Sequence, residues 1–233
     1  MNPFNTAPPQ ARLTLRVLAH LLRYPDSDFL AHIDDLRQAL RTEAALPAKR
    51  LAELDALLHH LGYAPKVEIE STYVELFDRG RQTALHLFEH VHGDSRDRGP
   101  AMIDLIQTYE KAGLYLGNQE LPDHLPVLLE FASTQPPQQA REFMAEISHI
   151  VRVIFSALLA RHSPYASVLA AVLELAGDKA EAVPLAPEPA LDDSWSEPEV
   201  FGGCSTAGQA KPGQPQPIHF TKQSPSHTQG ARA

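Results

Sequence analysis

The chain has 233 residues, a formal net charge of −9 and a single cysteine, Cys204. A length of this order suits one or two domains. The acidic balance, without any long Lys/Arg stripe, argues against nucleic acid, whose phosphates need clustered cations. A lone cysteine excludes an internal disulfide, which fits a reducing cytoplasm.

The first residues, M-N-P-F-N-T-A-P-P-Q, offer neither a basic start nor an apolar stretch, so no secretory signal is expected. Leu13 to Tyr24 reads as a helix, with Leu18, Leu21 and Leu22 on one side and Pro25 as its stop. Asp26 or Ser27 can cap the next helix, on which Phe29, Ile33, Leu36 and Leu40 recur at helical spacing. Pro47 starts a third helix carrying Leu51, Leu54, Leu57, Leu58 and Leu61, with Gly62 as its left-handed end. Lys66 to Asp78 is a fourth, whose apolar stripe is Ile69, Tyr73, Leu76 and Phe77. Arg79-Gly80-Arg81 breaks it, and Thr83 to Val91 reads as a further helix.

Gly93 to Gly99 is a charged loop. Pro100 opens Ala101 to Ala112, which Gly113 ends. Asn118 to Phe131 (N-Q-E-L-P-D-H-L-P-V-L-L-E-F) runs from a polar loop into an apolar helix, with Pro122 suited to the first helical turn and Pro126 one turn later. Pro136-Pro137 precedes Gln138 to Arg161, a long helix whose Phe143, Ile147, Ile150, Val151, Ile154, Leu158 and Leu159 suit a central, buried place. Tyr165 to Ala176 closes the helical part at Gly177. No window supplies the roughly twenty apolar residues of a membrane span.

No period-2 strand pattern competes and no internal repeat is visible, so the fold class expected is all-α, a single-domain helical bundle. It should occupy residues 10–181. From about Ala182 prolines mix with Gly, Gln, Ser and Thr, and few apolar residues remain to offset the entropy of ordering. Residues 182–201 read as an extended segment that docks through Trp195, Val200 and Phe201. Residues 202–233, with Cys204, read as a disordered tail.

Three histidines, His86, His90 and His92, raise the alternative of a helical metal-binding protein or enzyme. His86 and His90 lie one turn apart on the expected helix, which suits two ligands on one face. No cysteine is near and the H-E-x-x-H order is missing, so the histidines read as surface or loop residues and no metal is assigned. No G-x-S-x-G elbow or phosphate loop occurs, and no base can be held beside Cys204. No catalytic residue and no cofactor are therefore assigned.

Asp123 and His124 at a helix start have a plain reading as a cap and a surface side chain. Tyr73, Leu76 and Phe77 have one as core. Two motifs together change this. The Y-V-E-L-F stretch, Tyr73 to Phe77, and the E-x-P-D-H stretch, Glu120 to His124, resemble those of the NarJ-type branch of the TorD family, dedicated chaperones of molybdoenzyme assembly. The run from Leu76 to Leu105 and the piece W-S-E-P-E-V-F, Trp195 to Phe201, are similar to that branch too. The resemblance spans about residues 10 to 201.

The resemblance implies a TorD-like helical bundle acting as a chaperone, not an enzyme, for the apo catalytic (alpha) subunit of respiratory nitrate reductase. It implies that Tyr73, Leu76, Phe77, Asp123 and His124 shape a groove for the client's N-terminal peptide, with Glu120 and Pro122 shaping the turn. The client would be held for molybdenum cofactor insertion before membrane docking. Molybdenum cofactor delivery proteins are further candidate partners. The protein would work in the cytoplasm with no membrane insertion of its own. Three apolar anchors contribute roughly 5–9 kcal/mol, against an association cost of about 4–15 kcal/mol. Acidic groups meeting peptide cations would supply specificity.

Overall fold

Helix periodicity and proline punctuation in the sequence are matched by ten α-helices among the described residues of a computed structural model. The structure describes residues 10–185 apart from 93–94 and 118–119. The expectations for Trp195, Val200, Phe201, Cys204 and the tail fall outside them, as do Asn118 and Gln119.

Helix α1 (Arg12–Leu21) presents Leu15, Leu18 and Leu21 to the core. Its first free N–H groups, those of Leu13 and Thr14, donate to the Glu43 carboxylate at the end of α3, a cap supplied from another helix. Asp26 caps α2 (Ser27–Ala31), its carboxylate accepting the Phe29 N–H at 2.8 Å. The single helix expected there is two, because the chain breaks at His32 before α3 (Ile33–Glu43). Ala44 then takes a left-handed conformation (φ 47°).

Helix α4 (Ala48–Tyr63) runs through Gly62, which is no stop. Pro65 ends it instead, by pushing Ala64 into extended backbone (ψ 153°). Helix α5 (Lys66–Tyr73) continues into a π-helical turn, Val74–Asp78, closed by the Arg79 N–H on the Val74 carbonyl. A 3₁₀ turn (Arg81–Thr83) follows.

Next come α6 (Leu87–Val91), α7 (Arg98–Lys111), α8 (Leu125–Thr134), α9 (Pro137–Ala160) and α10 (Ala166–Ala176). Gly113 (φ 78°) and Gly177 (φ 83°) end α7 and α10 as left-handed caps. At Gly177 the requirement is double, since a Cβ would also collide with the Arg141 guanidinium.

Thr83 to Val91 is not one helix. Ala84 to His86 is extended, and only Leu87 onward is helical. Long-range pairing wins here: the Leu125 N–H donates to the Leu85 carbonyl (2.9 Å) and the Leu87 N–H to the Asp123 carbonyl (3.0 Å). These bonds make a short antiparallel bridge between His86 and His124.

Helix α1 packs on α8 and α3, α9 on α10 and α8, and α10 on α4. The most enclosed of these is α10, with nine of its eleven residues buried, against nine of twenty-four for α9. The sequence placed α9 at the centre, yet Leu159 is 46% exposed. By length and composition α9 does reach what a membrane span requires, contrary to the sequence reading. Its apolar face is covered by α8 and α10, as in the core helix of a bundle. A satellite cluster of Tyr109, Val127 and Phe131 joins α7 to α8 beside Leu114 and Leu116.

Candidate functional site

The two sequence motifs meet at the C-terminal end of α1. From one side the Tyr73 hydroxyl donates to the Leu22 carbonyl (2.9 Å), one of the carbonyls that a helix end leaves free. From the other, Arg23 reaches Glu120 at 2.7 Å and Glu130 at 3.0 Å. The intervening chain links them as well: the Thr83 hydroxyl donates to the Leu76 carbonyl, and two residues on, Leu85 pairs with Leu125. Gly80 makes the first contact possible, since a Cβ there would collide with the Leu76 carbonyl.

The first motif is apolar and interior. Tyr73, Leu76 and Phe77 are 6%, 8% and 6% exposed. The π turn brings Leu76 and Phe77 inward together. Phe77 stands edge-on to Tyr165 (5.2 Å between centroids) and tilted to Tyr73 (4.9 Å), which stands edge-on to Tyr24 (5.6 Å).

The second motif is polar. Pro122 is not in the first helical turn; it lies in the preceding turn, where its carbonyl accepts the Tyr109 hydroxyl at 2.7 Å. Pro126 holds the first-turn place in α8. Asp123 is fully buried. It does not cap the helix that follows it; one oxygen accepts the Phe88 N–H (3.1 Å) at the start of α6, with Arg98 3.9 Å away. The other oxygen faces His86 Nδ1 at 3.5 Å, an ion-pair distance without hydrogen-bond alignment, and neither atom has a hydrogen-bond partner.

The His86 ring stacks on that of His124, with centroids 4.8 Å apart. Asp123 pulls the His86 pKa up from its usual value, against burial. Burial pushes His124 down to about 4, helped by the charges of His86 and Arg23. The two shifts run in opposite directions, so as pH falls the ring beside the carboxylate takes a proton before its stacked neighbour does.

The metal alternative loses its geometric basis. His86 is extended and precedes α6, so it shares no helix face with His90. His90 Nε2 donates to the Ala84 carbonyl (2.9 Å), and His92 stands edge-on to Phe88. Among the described residues no group of three or more His, Cys, Asp and Glu side chains is arranged to hold a metal ion.

Beside the second motif lies a hollow of about 410 Å³. Tyr109, Leu114, Tyr115, Leu116, Val127 and Phe131 form its apolar part; Glu120 and Glu130 line it as acids, and Arg16 and His20 as bases. The five side chains singled out for peptide contact do not line it. Sequence reading missed Tyr109, Leu114, Leu116, Val127 and Phe131 as hollow-lining residues, and Arg23, His86 and Arg98 as partners of the motif. The alternation of Leu114 and Leu116 about Tyr115, which is 80% exposed, was the available signal.

A family model described as nitrate reductase delta subunit matches residues 26–171. The chain is 37% identical over 198 residues to the nitrate reductase molybdenum cofactor assembly chaperone NarJ of Escherichia coli (strain K12), covering 81% of this chain and 84% of that one. It is 32% identical over 166 residues to a protein described as a probable chaperone of the same kind from Bacillus subtilis (strain 168), covering 70% and 87%. The crystal structure of a protein described as a redox enzyme maturation protein from Archaeoglobus fulgidus shares the fold, with a TM-score of 0.51 at 21% identity over 72% of this chain and 94% of that one.

Proposed function

This chain belongs to the nitrate reductase delta subunit family, and on that premise we propose that it is an assembly chaperone for the catalytic subunit of a respiratory nitrate reductase. It binds the N-terminal segment of the apo subunit and keeps it competent for molybdenum cofactor insertion before membrane docking. Molybdenum cofactor delivery proteins meet the same complex, in the cytoplasm. The work is binding and release, without covalent chemistry.

The observation that carries this reading is the hollow beside the E-x-P-D-H turn, part apolar and part polar, with Glu120 and Glu130 as well as Arg16 and His20 on its wall. It suits an amphipathic segment that lays one face into a groove. The five motif residues serve it in different ways. His124 is half-buried, whereas Tyr73, Leu76, Phe77 and Asp123 hold the frame from inside. Pro122 fixes the turn through Tyr109, and Glu120 stands at its edge in a half-exposed ion pair with Arg23. The apolar contacts fall to Leu114, Leu116, Val127 and Phe131. Each apolar client side chain buried among them contributes about 1.5–3 kcal/mol, against an association cost of about 4–15 kcal/mol. The product is a reversible complex, which suits a chaperone that must let its client go.

Calorimetric titration of the full chain with the N-terminal peptide of the cognate catalytic subunit tests this. One saturable site is expected, weakened about tenfold by Leu116→Ser, equivalent to about 1.4 kcal/mol. An absence of saturable heat, or equal affinity in the variant, overturns the reading.

A further inference from the structure

Arg23 is joined to the second motif in an unusual way. It reaches both Glu120 and Glu130 through a single nitrogen, Nη2, while its Nε is buried with no hydrogen-bond partner. A guanidinium committed to a structural clamp engages a carboxylate with two parallel bonds, as Arg37 does with Asp55. The three groups are also half-open to water, at 36%, 37% and 41% of side-chain surface. Ion pairs exposed to that degree are weak and exchange readily. Glu120 and Glu130 both line the 410 Å³ hollow, and Arg23 is not among its lining residues.

We propose that Arg23 is an internal stand-in for a client cation. In the free protein its guanidinium offsets the repulsion between two carboxylates at the edge of the hollow and leaves the trio with a net charge of about −1. A peptide that buries an apolar side chain against Leu116, Val127 and Phe131 and carries a Lys or Arg beside it displaces Arg23 and takes both carboxylates. A neutral or acidic segment gains nothing there, because Arg23 keeps the pair. The Glu120–Glu130 pair thus selects cationic segments, and Arg23 sets the threshold they must exceed. Arg16 and His20 line the same hollow, so Glu120 and Glu130 are the acidic groups in its lining that a client cation can take.

This inference rests on the reading of the hollow as a peptide site, and its test separates the two. The probes are the N-terminal peptide of the catalytic subunit and the same peptide with its Lys and Arg changed to Gln. Each is titrated into the full chain. Arg23→Gln is expected to bind the cationic peptide about three- to tenfold tighter than the unaltered chain, with no gain for the neutral peptide. The double variant Glu120→Gln/Glu130→Gln is expected to bind the two peptides alike. Thermal melts establish that each variant is folded. Wild-type binding with unchanged or weaker binding by a folded Arg23→Gln overturns the stand-in role and leaves the peptide site intact. Discrimination between the peptides that survives in the double variant overturns it as well. A lack of binding by the unaltered chain overturns both.

Discussion

The Y-V-E-L-F stretch and the E-x-P-D-H stretch lie against adjacent residues just past α1, Leu22 and Arg23, yet they are built on opposite principles. The first is an aromatic stack, Tyr24 on Tyr73 on Phe77 on Tyr165, with one buried hydroxyl bonded to a helix-end carbonyl. The second is a polar knot around a fully buried carboxylate, reached by a backbone N–H, an imidazole and a guanidinium. The difference teaches that a motif can shape a hollow from behind its wall. Apolar packing sets where the end of α1 lies; the polar knot sets what charge and shape that end displays.

Breaking the first element is expected to have the largest effect. Phe77→Ala should destabilise the fold by about 3–5 kcal/mol, since it removes a buried ring and leaves a cavity. Urea unfolding measures this, and a loss below about 1 kcal/mol would show that the stack is not core. Asp123→Ala should come next, at about 2–3 kcal/mol. It removes the cap of α6 and the carboxylate that faces His86, and leaves Arg98 with Glu89 alone. Hydrogen exchange should locate that loosening in residues 84–91 and spare the stack around Tyr73. Uniform loosening of both regions would end the distinction drawn between them.

The smallest and most specific effect is a dependence on pH. His124 has a folded pKa of about 4, below its unfolded value of 6.5. The unfolded chain therefore binds the proton first, and stability falls as pH drops from about 6.5 towards 4. His86 has the opposite sign. Its raised folded pKa contributes stability that is full below 6.5 and is lost as pH rises through the folded value. In His124→Gln the acid-side loss should shrink by about 1–2 kcal/mol. Melting temperatures compared between pH 4.5 and 7.5 report it, and parallel curves for variant and parent would refute the assignment.

Much of the bundle was legible in the chain itself. Leucines at helical spacing located the helices, and Pro47, Gly113 and Gly177 marked ends that the structure keeps, whereas α1 stops at Leu21, before the Tyr24 end that Pro25 suggested. Local signals failed where a distant partner outbid them. Gly62 sits inside α4 because Pro65 stops the helix first. Residues 84–86 are extended because their backbone groups bond to the P-D-H turn. Asp123 looked like a cap for its own helix and serves another one, thirty-five residues back along the chain.

The sequence by itself determined the helical class, the family and the two motifs that meet at the end of α1, because periodicity, proline and residue identity are local properties. Only the tertiary structure decided which of those residues face water. Burial depends on what the rest of the chain brings alongside: it enclosed Tyr73, Phe77 and Asp123 and left Leu116, Glu120 and Glu130 around an open hollow. It also seated Arg23 across the two glutamates, a contact between residues about a hundred positions apart that no local pattern encodes.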